Sequence, residues 1–162
     1  AKFSAEGLTV NGSGFKVFHR QDGLHSARIH EFLTAADGTL WIATVGGLSR
    51  WRDHRLEKIT DPLVSAIRCR ALAEDGRRRV WIGTDNGLVV QDGGRYRLLA
   101  PGGAAGALIH DILADREGIV VAAGNGLWRY AADAPPVRLE TPKGVEAGDL
   151  RALAATPEGL WL

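Results

Sequence analysis

The sequence predicts an all-β fold, because two observations agree. Short runs rich in Val, Ile, Trp and Thr are separated by Gly- and Asp-containing turns at intervals of about 8–12 residues, a spacing typical of short antiparallel strands. No stretch of helical length shows the i, i+3, i+4, i+7 apolar spacing of an amphipathic helix. With 162 residues, of which 45% are hydrophobic, the chain is long enough to bury a core.

One sequence phrase returns at a constant interval along the chain. Its anchoring residues lie forty positions apart, at Trp41, Trp81, Val121 and Trp161. A Gly-Leu pair follows each of the first three anchors, at Gly47, Gly87 and, one position early, Gly126. A period of this length indicates repeats of one supersecondary unit that stack to bury a continuous core. We therefore expect these anchors and glycines to form the structural core of the successive units.

Each unit holds four short elements, as residues 21–60 illustrate. In order, they are a mixed run at 28–34, an apolar run at 40–44, an alternating run at 48–52 and a second alternating run at 56–60. The turns between them are Asp37-Gly38, Gly46-Gly47 and Asp53-His54. The run at 40–44 is apolar on both faces, as expected for a strand that is covered on both sides. Four short strands in about forty residues is the pattern of a β-propeller blade, which buries its faces against its neighbours.

The repeat also divides the chain into segments. They are a half blade at 1–20, full repeats at 21–60, 61–100 and 101–141, and a half blade at 142–162. We expect the first half blade to supply the third and fourth strands of a blade, and the last to supply the first and second. Three interpretations follow: a fragment of a larger propeller, a closed four-bladed ring, or association of two copies. The absence of methionine favours the fragment.

The turn between the first two strands differs in sequence in the second repeat. Arg78 stands where the other turns have glycine, so a different turn geometry is expected there.

The second and third repeats resemble a known family. The run Val80-Trp81-Ile82-Gly83-Thr84, followed by Asn86-Gly87-Leu88, resembles the two-component regulator propeller repeat, and the third copy keeps Asp115, Gly118 and Asn125-Gly126-Leu127. The first copy departs from the pattern, with Ala35 in place of the turn aspartate. The resemblance covers essentially the whole chain. It implies the sensor portion of a bacterial signalling receptor, periplasmic or extracellular, whose output domain is a histidine kinase or a diguanylate cyclase.

Four basic residues share one position of the repeat and form the candidate ligand-binding site. Each directly follows the apolar residue of the first strand: His30, Arg70, His110 and Arg151. Equivalent strands would bring them together as a ring near the propeller axis, where cations focus charge on an anionic ligand, small or polymeric. The alternative is structural, with Asp75 or Asp115 pairing with such an arginine. We favour the structural alternative, because ion-pair networks often imitate binding sites.

Composition and motifs exclude several classes of function. The net charge of +1 argues against a nucleic-acid binder, and no apolar run approaches the ~18 residues of a membrane span. The five histidines are scattered without metal-ligand spacing, and the single cysteine, Cys69, stands where other repeats have a buried aliphatic residue. No catalytic motif is found, so neither an enzyme nor a cofactor is predicted.

Two other classes of function stay open beside the sensor, together with self-association of the chain. One is a fragment of an enzymatic propeller of the lyase or hydrolase type. Asp22, His25 and Glu31 are the only tight grouping of convergent side chains that would support it. The other is a protein-interaction scaffold.

Overall fold

The computed structural model of the chain describes residues 3–4, 7–11, 15–99, 104, 106–131, 134–146, 150–156 and 159–162. These residues form β-strands and turns, with one short 3₁₀ turn at Arg20–Asp22, which confirms the all-β prediction. Among them there is no helix that is long and apolar enough to cross a membrane.

The strands follow one another along the chain at short intervals. They are β1 (Phe3–Ser4), β2 (Gly7–Asn11), β3 (Phe15–Phe18), β4 (Ile29–Thr34), β5 (Leu40–Thr44), β6 (Gly47–Arg52), β7 (Arg55–Lys58), β8 (Cys69–Glu74), β9 (Val80–Thr84), β10 (Gly87–Asp92), β11 (Arg95–Leu98), β12 (Ile109–Asp115), β13 (Gly118–Ala123), β14 (Gly126–Tyr130), β15 (Val137–Leu139), β16 (Ala154–Thr156) and β17 (Gly159–Trp161). Strands that are consecutive in sequence are neighbours in every sheet, so each sheet is a simple meander.

The strands of the described residues form three four-stranded sheets, β4–β7, β8–β11 and β12–β15, flanked in sequence by the three-stranded sheet β1–β3 and the two-stranded sheet β16–β17. The first half blade therefore holds one strand more than the sequence predicts. The extra strand is β1, in which Phe3 pairs with Leu8 and Ser4 with Gly7.

The chain divides into two compact units, Ala1–Cys69 and Arg70–Leu162. In the first unit, Phe18, Leu24 and Ile42 form a buried cluster, and the ring of Phe18 meets that of Trp51 edge-on at a centroid distance of 4.9 Å. The anchoring Trp41 on β5 is 4% exposed. Residues 41–44 of this strand are all buried, so the strand is covered on both faces, as the apolar run at 40–44 predicts.

In the second unit, one buried cluster contains the anchors of two repeats. Trp81 and Val121 are both buried in it, and the Trp81 ring lies 5.7 Å from the ring of Tyr130. The Tyr130 hydroxyl in turn accepts a 2.8 Å hydrogen bond from the backbone N–H of Ala104. The fourth anchor does not follow this pattern. Trp161 is 59% exposed, because its sheet has only the short strands β16 and β17, and no described strand pairs with the outer edge of β17.

The glycines that follow the anchors have the backbone that their position requires. Gly47, Gly87 and Gly126 have φ values of 140°, 122° and 141°, a region that side chains with a Cβ rarely adopt. At Gly47 a Cβ would also lie 2.9 Å from Cγ of the His25 ring. Glycine is therefore required at this turn by both conformation and space.

The turn of the second repeat has the same hydrogen bonds as that of the first, so the expectation of a different geometry is wrong. In the turn 35–39 the first N–H donates to the last C=O at 2.8 Å, and in the turn 75–79 the same bond is 3.0 Å. Arg78 adopts this geometry with a φ of 64°, close to the 83° of Gly38. The turn keeps its shape, and the arginine takes the left-handed conformation.

Candidate functional site

One member of the predicted basic set belongs to the first unit. His30 lies on β4 at an irregularity where the pairing with β5 shifts between Ile29 and Glu31, and its side chain is exposed. A bulge of this kind turns a side chain out of the regular alternation of the strand.

The other three members belong to the second unit, where two of them are in contact. His110 lies at the equivalent irregularity of β12, between Ile109 and Asp111. An Nη atom of Arg151 lies 3.1 Å from Nδ1 and 3.0 Å from Nε2 of the His110 ring. A neutral imidazole has only one nitrogen with a free lone pair, so the guanidinium donates to one of the two. The two residues are forty-one positions apart and occupy the same position of successive repeats.

A carboxylate sets the position of the segment that carries Arg151. Asp111 accepts a 2.8 Å hydrogen bond from the N–H of Ile112 and a 2.6 Å hydrogen bond from the N–H of Leu153. Leu150, on the other side of Arg151, is buried against Val120 and Ala122. These contacts fix the backbone of 150–153 beside β12, and sequence reasoning did not identify Asp111.

Arg70 on β8 has a carboxylate partner, but not one that the sequence suggested. Its Nε lies 2.6 Å from Oδ1 of Asp85, in the turn between β9 and β10. The alternative interpretation named Asp75 or Asp115 instead. Asp75 pairs with Arg79 and Asp115 pairs with Arg129, so the proposed partners are wrong, although an ion pair does form.

The cations around His110 change its proton affinity. Burial, followed by the positive charges of Arg151 and Arg70, lowers the pKa of His110 below its ordinary 6.5. All three effects disfavour the imidazolium. His110 is therefore mainly neutral at pH 7, and Arg70 and Arg151 are each close enough to act on it electrostatically.

The turn aspartate of the second repeat has a structural task. Asp75 accepts hydrogen bonds from the N–H groups of Arg77 and Arg79, from Nε of Arg79 at 2.7 Å and from the indole Nε1 of Trp81 at 2.8 Å. Its side chain is 8% exposed. Burial alone would raise the pKa of Asp75, but the hydrogen bonds from Trp81, Arg79 and Arg77 outweigh burial, so the pKa lies below its ordinary 3.8.

The grouping that would support an enzyme has structural contacts instead. Nε2 of His25 lies 2.9 Å from the C=O of Ile59, and Asp22 accepts a 2.8 Å hydrogen bond from the N–H of His19. Cys69 is buried, as its place in the repeat predicts. Within the described part of the chain, no three His, Cys, Asp or Glu side chains are grouped so that they could hold a metal ion.

No protein-family model and no curated protein matches the sequence. Solved structures do match it. The chain is similar to an extracellular domain described as that of the one-component system BT4673 from B. thetaiotaomicron, with a TM-score of 0.79 at 21% identity over 98% of this chain. It is also similar to virginiamycin B lyase from Staphylococcus aureus, with a TM-score of 0.73 at 14% identity over 99% of this chain. The fold is that of a β-propeller.

The blade architecture is what these matches have in common. A third match, the extracellular domain of the hybrid two-component system BT3049 from B. thetaiotaomicron, has a TM-score of 0.51 at 17% identity. The chain spans 24% of the BT4673 domain, 57% of the lyase and 30% of the BT3049 domain. At these identities the similarity establishes the propeller fold, and function has to be argued from the site.

Proposed function

We propose that this chain is a non-catalytic sensor segment of a bacterial signalling receptor, of the two-component regulator propeller type. The observation that carries the proposal is the combination of a regulator-like repeat with a fold shared by extracellular domains of BT4673 and BT3049. The receptor would hold this segment in the periplasm or outside the cell. Its output, a histidine kinase or a diguanylate cyclase, would be a separate domain.

The ligand would bind to basic residues at an end of the propeller axis. Arg70, His110 and Arg151, all in the second unit, are the residues that we assign to this role, and His30 is the equivalent residue of the first unit. In the second unit, Arg70 and Arg151 both act on His110, and such a group of cations attracts negatively charged ligands. Ligand binding would change how the propeller packs against a neighbouring domain or subunit, and that change is the signal.

Binding without turnover is the property that distinguishes a sensor from an enzyme. Isothermal titration of the protein against a panel of anionic and neutral saccharides and organic acids should find a ligand that binds with saturation. Mass spectrometry of the recovered ligand should then show it unchanged. The Arg70→Ala/Arg151→Ala variant should lose an anionic ligand, whereas Arg55→Ala/Arg95→Ala, which removes two exposed arginines of hairpins, should retain it. An unchanged affinity in the first variant would remove the basic residues from the site.

The sequence of the whole gene tests whether this chain is part of a receptor. We expect the same reading frame to encode a membrane span and a kinase or cyclase domain. A reading frame that encodes neither would contradict the signalling proposal.

The enzymatic alternative is testable in the same titration. Its support is the fold similarity to virginiamycin B lyase. Conversion of the recovered ligand into a product, lost in His25→Ala but not in Arg151→Ala, would favour this alternative over the sensor.

A further inference from the structure

Two arginines lie near His110 in the second unit, and they differ in their partners. Two guanidinium groups, those of Arg70 and Arg151, act on the ring of His110. Arg70 is paired with Asp85. Arg151 makes no ion pair with any residue that the structure describes, and its side chain donates to the His110 ring instead.

These contacts involve only one nitrogen of each guanidinium group, Nε of Arg70 and one Nη of Arg151. A guanidinium has five N–H donors, and the pair with Asp85 engages Nε of Arg70. Arg151 is exposed, so its remaining N–H groups face solvent. The other carboxylate next to His110 is Asp111, and its two oxygens already accept the N–H groups of Ile112 and Leu153. The N–H groups of Arg151 that face solvent are therefore accessible to an acceptor from outside the protein.

We propose that Arg70, His110 and Arg151 form one binding site for an oxyanion, a carboxylate or a sulfate-like group, and that His110 takes up a proton when the anion binds. This proposal rests on the proposed function and names the ligand class and the pH response of its site. In the free protein the His110 ring accepts from Arg151. With an anion present, Arg151 donates to the anion, and the imidazolium of His110 becomes a second charged donor to it.

The sign of the pH response follows from the contacts. Neighbouring cations hold the pKa of His110 down in the free protein, and a bound anion offsets their charge and raises it. The bound state therefore holds more protons than the free state. By linkage, affinity increases as pH falls through the interval between the two pKa values. The charged groups around His110 are Arg70 on β8 with its partner Asp85, Asp111 on β12 and Arg151.

The probes are sulfate and tartrate, neither of which changes charge between about pH 5.5 and about pH 8, titrated at constant ionic strength. We expect binding that tightens about tenfold over this range on going to low pH, with uptake of about one proton measured in buffers of different ionisation enthalpy. Arg151→Gln should weaken binding about tenfold, because it removes one charge-assisted contact. Arg97→Gln, an exposed arginine on β11, is the matched control and should bind like the parent protein.

His110→Gln separates the pH response from binding. This variant keeps a hydrogen-bonding side chain, so we expect it to bind the anion with the weaker affinity of the high-pH form at every pH. In case a variant does not fold, the ring protons of His110 can be titrated by NMR in the parent protein, and saturating anion should raise its pKa. Tartrate binding without sulfate binding would identify a carboxylate ligand, and the reverse a sulfate-like or phosphate-like one.

Two results would overturn the inference in different ways. Anion binding without proton uptake, or with pH dependence retained in His110→Gln, would overturn the role of His110 and leave the sensor proposal standing. Failure of both anions to bind would overturn the oxyanion site. The saccharide and organic-acid panel would then decide the sensor proposal independently, since a neutral ligand that binds unchanged would still support it.

Discussion

At the scale of single residues, Asp75 joins the turn of its repeat to the core. Its carboxylate binds the backbone of the turn 75–79 on one side and the indole N–H of Trp81 on the other. The Arg79 guanidinium lies 2.7 Å from the same carboxylate and 5.4 Å from the Trp81 ring. The buried carboxylate of Asp75 thus fixes the position of Trp81, the largest side chain of β9.

A double-mutant cycle measures this connection. We expect Asp75→Asn to cost about 2–3 kcal/mol of unfolding free energy, because a buried charged acceptor of several hydrogen bonds is lost. Trp81→Phe removes the indole donor, and the two changes together should cost less than their sum by about 1 kcal/mol. Urea unfolding of the four proteins measures these values. Asp92→Asn, at an exposed aspartate of β10, is the control and should lie within about 0.5 kcal/mol of the parent protein. Strictly additive costs would show that Asp75 and Trp81 are not coupled.

The lowered pKa of Asp75 also predicts a pH dependence of stability. The pKa of Asp75 in the folded protein lies below the ordinary value of 3.8. Ionised Asp75 therefore contributes its full stabilisation of the fold when the pH is well above 3.8. That contribution is lost as the pH falls through the lowered folded-state pKa. The difference in unfolding free energy between the parent protein and Asp75→Asn should therefore be constant above about pH 5 and shrink towards about pH 3. A difference that is independent of pH over this interval would contradict the assignment.

At the scale of elements, the turn 75–79 shows that a hydrogen-bond pattern can impose an unfavourable conformation on one residue. Arg78 has a φ of 64°, which costs a residue with a Cβ about 1 kcal/mol or more relative to glycine. The backbone bonds that close the turn and the four bonds accepted by Asp75 hold it in place.

Arg78→Gly should therefore stabilise the protein by about 0.5–1 kcal/mol, because the relief of strain exceeds the added flexibility of the unfolded chain. The control is Arg77→Gly in the same turn, where φ is not positive and glycine brings only its entropic cost. Thermal unfolding should show a higher midpoint for the first variant and a lower one for the second. A lower midpoint for Arg78→Gly would mean that the arginine side chain contributes more than its conformation costs.

The elements also show which features a sequence can predict. The strands around Trp41, Trp81 and Val121 are predictable because every repeat buries the same face, so the same residue types return at the same interval. The partner of Arg70 is not, because Asp85 lies fifteen residues away on another turn and only the folded hairpin brings the two side chains together. The His110–Arg151 contact is predictable only in part. The repeat places the two residues at equivalent positions, but the hydrogen bond from Leu153 to Asp111, which holds the backbone next to Arg151, is not visible in the sequence.

At the scale of the whole molecule, the repeat pattern predicts that all four anchors are buried in the core. In the structure Trp41, Trp81 and Val121 are buried and Trp161 is exposed. Trp41 and Trp81 are each 4% exposed, whereas Trp161 is 59% exposed. An anchor is buried only when further strands cover its sheet, and the strand that carries Trp161 pairs with β16 alone among the described strands. A closed ring or an association of copies would have to cover Trp161, whereas a fragment leaves it open.

Fluorescence quenching by iodide at constant ionic strength tests this difference among the three interpretations. In a dilute solution of the chain, Trp161→Phe should remove the largest share of the iodide-quenchable emission, whereas Trp81→Phe should leave that share unchanged, because iodide does not reach a buried indole. Sedimentation at the same concentrations reports the size of the particle. If Trp161 is protected in a particle of monomer size, the chain covers its own last strand, as a closed ring requires. If protection increases with protein concentration together with the sedimentation coefficient, a second copy covers it. Full quenching in a monomer leaves the edge of β17 free to pair with a further strand, as in a propeller larger than this chain.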